Sequence, residues 1–473
     1  MLFNSIDFVV FFATVVVFYF TISQKFRWVV LLVASCYFYM AFIPWYILIL
    51  FYLIILDFFL GLKIEKIEDK KRRLRWLWIS IFSNIGTLFV FKYFNFFNES
   101  FYEFFGMFNV AYPKYYFSLL LPLGLSFHTF QSLSYVIEVY RGNVKAERHI
   151  GIYALYVMFF PQLVAGPIER PAHMIPQFRE FHQFSFPRLV SGGQRMIWGF
   201  FKKIVIADQL ALFVNIVYGN PGEFSGPSLV IATVFFAFQI YCDFSGYCDI
   251  AIGAAEVLGF KLSENFNSPY FSSSISDFWR RWHMSLSLWF RDYVYFPLGG
   301  SLDKEIKTIR NLLITFLLSG LWHGANWTFV IWGLLNGVYL IIGRWKSKFF
   351  HGLPRLSFVS VFSTFTLTCF AWIFFRAENL TEAWYIVTSL GSGWGSFSLV
   401  DAIYLGRVDT DFFLAILGIT VLLFVENIRM HPDFYKKTFF SSSIVRTAGY
   451  TTLIFLILAL WEGRGTEFIY FQF

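Results

Sequence analysis

Two histidines stand where this sequence can move a proton. His323 lies in "GLWHGANW" (320–327), inside a stretch from Asn311 to Gly343 that carries no Asp, Glu, Lys or Arg. Such a residue at membrane depth usually faces a bundle interior or a watery cavity. Held neutral there, an imidazole can take a proton from a hydroxyl as general base. His283 lies in "SDFWRRWHMSLSLWFRD" (276–292). On a helix begun near Ser276, the pairs Asp277 and Arg281, Trp279 and His283, and His283 and Ser287 are each four residues apart and share a face. The same composition suits an amphipathic helix with Trp and Arg at headgroup depth. Arg280, Arg281 and Arg291 also suit the phosphates of a large anionic donor, because guanidinium pairs with phosphate in bidentate fashion.

Other candidates point to support. Asp243 and Asp249 in "YCDFSGYCDIAIG" (241–253) lie about 240° apart around a helix and do not converge on a metal. They are expected to partner buried Arg or His, and no metal site is expected. The four cysteines suggest neither a disulfide framework nor a zinc site. No Walker loop, GxSxG elbow, HExxH or dinucleotide fingerprint is present.

The elements that must hold these residues are membrane spans. Of 473 residues, 57% are hydrophobic and 14% charged, where a soluble domain carries about a quarter charged. Apolar stretches near the roughly 20 residues that cross a bilayer recur along the chain. Candidate spans are 5–22, 28–43, 45–62, 76–97, 117–139, 151–165, 195–218, 228–259, 311–343 (two legs), 357–376, 412–427 and 447–461. The first, lacking a basic leader and a cleavage site, reads as a retained span. Basic loops at 24–27, 63–75 and 141–148 belong in the cytoplasm, which turns the N-terminus outward. The acidic stretch 377–411 and the C-terminus then lie outside. The net charge of +8 thus reads as loop asymmetry, not as nucleic-acid binding.

Basic segments also flank the His323 stretch on both sides, so 311–343 must enter and return. Its first leg of about 12 residues spans roughly 18 Å, too short to cross. His323 then sits at a re-entrant bend, with Gly320 and Gly324 permitting the turn. In "FFPQLVAGPIERPAHMIPQF" (159–178), four prolines forbid a continuous helix.

The motifs "FFPQLVAGPIER", "YCDFSGYCDIAIG", "FWRRWHMSLSLWFRDYVYFPLGG", "LSGLWHGANWTFVIWGLLNG" and "FIYFQF", in this order, resemble the membrane-bound O-acyltransferase (MBOAT) family. More narrowly, they resemble its bacterial branch that O-acetylates alginate and other exported polysaccharides, related to the D-alanyl transfer protein of teichoic acid. His128 stands where that branch has Tyr, and Cys248 where it has Ser. Both departures are expected to bear on packing.

The resemblance implies an all-α polytopic fold of 11–13 transmembrane or re-entrant helices around a tunnel, in one domain over 1–473. Within it, 1–150 supplies N-terminal spans, 151–345 the catalytic core and 346–473 C-terminal spans. It implies His323 and His283 as the catalytic histidines. The residues expected to bind the donor or line the tunnel are Asp277, Trp279, Arg280, Arg281, Ser287, Arg291, Trp322 and Asn326. The implied reaction moves an acetyl group from cytoplasmic acetyl-CoA, a co-substrate with no permanently bound cofactor beside it. The acceptor is an exported polysaccharide such as alginate, peptidoglycan or another glycan, or a periplasmic partner of SGNH-hydrolase type. The setting is the bacterial inner membrane with its lipid. A transporter would also explain buried polar groups and broken helices, but no internal repeat is found. A scaffold of a polymer-export complex is the third reading.

Overall fold

A computed structural model describes residues 1–302, 304–349, 357–395, 409–431, 433, 442–461 and 468–469. Among them the regular structure is helical, with no strand. Among the described residues, seven helices are long and apolar enough to cross a membrane, and a shorter apolar helix, Ile6–Thr21, precedes them. The protein is a multi-pass membrane protein. Expected side assignments that rest on 350–356, 396–408, 462–467 and 470–473 lie outside the described residues.

Contacts divide the chain into two compact units. The first comprises Met1–Gly193 and Ala251–Ser263. It begins with α1 (Ile6–Thr21), α2 (Gln24–Met40), α3 (Ile47–Lys66), α4 (Lys70–Leu88) and α5 (Phe94–Gly106). Then follow α6 (Leu125–Arg141), α7 (Ile150–Met158) and α8 (Pro171–Gln177). Two expected spans are shorter here than the apolar pattern suggests. The one expected from residue 117 begins as helix only at Leu125, after Gly124 at φ +69°. Before it residues 110–122 carry no regular structure, and the Asn95 amide satisfies both backbone groups of Phe117, at 2.8 and 2.9 Å. The span expected at 151–165 stops at Met158, and helix resumes only at Pro171. The prolines remove the N–H groups a continuous helix needs. His128 settles into this packing, its Nε2 2.6 Å from the Leu163 carbonyl oxygen.

The second unit comprises Gln194–Ile250 and Glu264–Phe473. α9 (Phe186–Phe200) enters it, passes into a π-helical stretch, Phe201–Ala207, and continues as α10 (Asp208–Gly219). α11 (Gly226–Leu258) runs for 33 residues. α9 approaches α11 closely at Gly199, where a side chain would strike the Gly246 carbonyl oxygen. The unit continues through α12 (Ile275–Arg281), α13 (Met284–Phe290), α14 (Glu305–His323), α15 (Trp327–Phe349), α16 (Ser357–Arg376) and α17 (Leu380–Ser389). It closes with α18 (Asp409–Met430) and α19 (Ser443–Leu460).

The hairpin of α14 and α15 has the two expected legs, with one correction. α14 starts at Glu305 and runs 19 residues, or about 28 Å at 1.5 Å per residue. It takes Lys307 and Arg310 into the helix, so the short-leg argument falls. Gly320 and Gly324 also serve another purpose than the bend. Gly320 is helical, and Gly324 has φ −157°, which any residue adopts. A side chain at either would collide with Phe329, at its carbonyl oxygen or its ring. The glycines are needed for close approach of the two legs.

Candidate active site

The second unit brings both histidines to one indole. Trp322 has the His283 ring on one contact, centroids 5.9 Å apart, and His323 on another, at 4.9 Å. His323 is the last residue of α14 and only 4% exposed. Besides Trp322, it meets Trp332 of α15 at 5.0 Å and Phe375 of α16 at 5.2 Å. Trp372 stacks on Trp332 at 5.8 Å and meets Trp282 at 5.1 Å. The result is an aromatic cage that holds the His323 imidazole away from bulk water.

His283 is held differently from expectation. α12 ends at Arg281, and His283 itself caps α13 with φ 41° and ψ 56°. The expected shared face of Trp279 and His283 therefore does not form, since the helix breaks between them, while His283 and Ser287 stay one turn apart, the Ser287 N–H donating to the His283 carbonyl at 3.0 Å. A left-handed residue with a side chain costs about 1–2 kcal/mol, and Asn265 holds it in place. Its Oδ1 accepts from the Ser285 N–H at 3.1 Å and the Ser285 hydroxyl at 2.9 Å. Its carbonyl accepts from Met284 N–H at 2.9 Å. The imidazole is fully buried, edge-on to Phe244 at 4.6 Å. Burial lowers its pKa from 6.5 to about 3, so it is neutral at physiological pH.

The expected donor-binding set divides. Trp322 is the wall between the histidines. Trp279 stands one layer out, against Trp332 at 5.7 Å, and its Nε1 donates to Asn336 at 3.3 Å. Ser287 donates to the Trp282 carbonyl at 3.4 Å. Asn326 caps α15, accepting from Thr328 N–H at 3.0 Å and donating to the Glu378 carbonyl at 2.8 Å. Asp277 and Arg281 pair at 3.1 Å, and Arg291 pairs with Asp292 at 2.8 Å. Arg280 is exposed and meets no acidic partner among the described residues.

Asp243 and Asp249 face cations, mainly lysines. Asp249 accepts from Lys202 at 2.6 Å and Arg195 at 3.0 Å. Asp243 pairs with Lys203 at 2.6 Å and accepts from Ile469 N–H at 2.6 Å. Cys248 takes a weak hydrogen bond from Asn265 at 3.4 Å. Sequence reasoning missed Lys202, Lys203 and Asn265. It also missed Phe244, Trp332, Trp372 and Phe375, because aromatics make up 23% of the chain and none of these stands out. The adjacent lysines between apolar runs were a signal that could have been followed.

An all-helical, multi-pass protein with two buried histidines around one indole fits the class of membrane O-acyltransferases. The comparisons agree: the model of the membrane-bound O-acyltransferase family (MBOAT) matches residues 149–384, which include both histidines. The chain belongs to this family and is an O-acyltransferase. It is 39% identical over 376 residues to "Probable alginate O-acetylase AlgI" of Pseudomonas aeruginosa, covering 79% of this chain and 71% of that protein. It is 37% identical over 388 residues to "Peptidoglycan O-acetyltransferase" of Helicobacter pylori, covering 75% and 72%. It is 30% identical over 287 residues to "Teichoic acid D-alanyltransferase" of Bacillus subtilis, covering 55% and 70%.

Proposed function

We propose that this enzyme transfers an acetyl group from cytoplasmic acetyl-CoA to an exported polysaccharide, directly or through a periplasmic partner of SGNH-hydrolase type. The observation that carries the reading is the cage around His323, a single imidazole among aromatic rings next to a second, neutral one. His323 takes the proton of the attacking hydroxyl as its oxygen bonds to the thioester carbonyl carbon. The carbon–sulfur bond then breaks, and the proton passes to the leaving thiolate. Exclusion of water suppresses hydrolysis of the thioester. His283 supports the same site. The alginate O-acetylase relative favours alginate as acceptor, and the peptidoglycan O-acetyltransferase relative keeps peptidoglycan as the second reading. The setting is the bacterial inner membrane, with both termini outward.

Arg280 is the arginine best suited to the donor's phosphates, since Arg281 and Arg291 already face carboxylates. The test uses purified protein and labelled acetyl-CoA, with alginate and peptidoglycan fragments as acceptors in separate reactions. Thioester consumption that depends on His323 is expected. Equal consumption by wild type and His323→Ala overturns the mechanism, and transport of polymer without acetylation overturns the enzyme reading of the site.

A further inference from the structure

A third histidine, in the first unit, is built for a different task. Glu169 is fully buried, and its carboxylate accepts from Ser263 N–H at 2.5 Å, from the Ser263 hydroxyl at 3.1 Å and from His173 Nδ1 at 2.7 Å. The last of these bonds makes His173 Nδ1 the donor to the carboxylate. The His173 side chain is 40% exposed, and its Nε2 has no partner among the described residues. Opposite it, the segment 259–263 is clamped to α8. Lys261 N–H donates to Gln177 Oε1 at 2.8 Å, while Gln177 Nε2 donates to the carbonyls of Lys261, at 3.1 Å, and His173, at 3.0 Å. The exposed Lys261 ammonium meets no carboxylate among the described residues.

The charged groups acting on His173 are Glu169 from its own segment and Lys261 from the facing one. His182, also nearby in this packing, is turned to the Gln177 carbonyl at 2.9 Å. The hydrogen bond to Glu169 raises His173 above its ordinary 6.5, against desolvation and the repulsion of Lys261. His173 and Lys261 thus lie on two segments clamped together by Gln177, with the Glu169 carboxylate buried behind the imidazole. We propose that His173 and Lys261 form a phosphate-binding site in the first unit, with Glu169 as the positioning residue that presents the imidazolium. The phosphate comes from coenzyme A, resting on the donor reading above, or from an anionic lipid headgroup. Both offer the same oxygens to Nε2–H and to the ammonium.

Calorimetric titration of the full-length protein in detergent with coenzyme A tests the first source. Mass spectrometry of phosphatidylglycerol retained from nanodiscs of that lipid tests the second. His173→Gln and Lys261→Met are expected to weaken one of the two by about tenfold each, the scale of a lost charge-assisted hydrogen bond, with thermal unfolding unchanged. Wild-type affinity should be highest at low pH and fall as pH rises through the His173 titration, and the His173→Gln profile should be flat. Unchanged binding of both ligands in both variants overturns the site. Wild-type protein that binds no coenzyme A sinks the donor reading, and the lipid arm alone then decides the site.

Discussion

Two buried polar regions of the second unit are built on opposite plans. Around Lys202 and Lys203 the charges are matched: Asp249, Asp243 and Asp208 lie within 3.0 Å of an ammonium. Arg195 joins Asp249 to Glu264, at 3.0 and 2.5 Å. Around His283 and His323 there are rings instead, and the imidazoles face indole and phenyl groups. A matched ion network holds helices together because removing either partner strands a charge. An imidazole in an apolar cage adds little to folding, and in the proposed reaction it takes a proton. The difference teaches which buried polar groups to assign to stability and which to chemistry.

The largest effect expected is on the chemical side. His323→Ala should lower acetyl transfer by about 10²–10⁴-fold, the usual loss for a general base, with insertion and melting temperature retained. His283→Ala should fall on the same side with a smaller loss. Polymer acetylation at wild-type level in a well-folded His323→Ala protein would remove the chemical half of the contrast.

The complementary variant is Lys203→Met, which leaves Asp243 buried without its ammonium. About 3–5 kcal/mol of stability should be lost, seen as a lower melting temperature and yield, while activity per folded molecule survives. Retained stability would show that the network is not the scaffold.

Gly320→Ala sharpens the contrast from the side of packing. The new side chain meets the Phe329 carbonyl oxygen and should cost about 1–3 kcal/mol by overpacking. Because the hairpin carries His323, activity should fall together with stability. Loss of neither would mean that the legs can separate without moving the histidine.

His283 links the cage to pH. Its folded pKa of about 3 lies below the ordinary 6.5, so the unfolded chain binds more protons between those values. Its contribution to stability is intact above about pH 6.5 and erodes as pH falls from there, by at most about 1.4 kcal/mol per pH unit. Melting temperatures of wild type and His283→Gln from pH 7 to 5 should therefore diverge in slope. Parallel curves would contradict a buried neutral imidazole. The smallest effect is Arg280→Ala, for which KM for acetyl-CoA should rise severalfold with kcat nearly kept, because the contact is remote from the reacting carbonyl. An unchanged KM would return Arg280 to lipid.

By itself, the sequence determined the class of fold. Charge-free stretches near bilayer length can satisfy their backbone in hydrocarbon only as helices, and basic flanks on both sides of 311–343 required a hairpin. His323 was legible because a lone imidazole without neighbouring charges stands out. Tertiary structure decided the rest. It placed His283 at a break that no i, i+4 count foresees, since Asn265, from a distant segment, stabilises its left-handed backbone. It set the two histidines on one tryptophan through two different helical segments, α13 and α14. It moved Gly320 and Gly324 from bend residues to contact residues, because space beside a backbone depends on what packs there. Asp249 met Lys202 and Arg195 for the same reason: a carboxylate's need for a cation is written locally, while which cation answers it depends on which helices come to lie side by side.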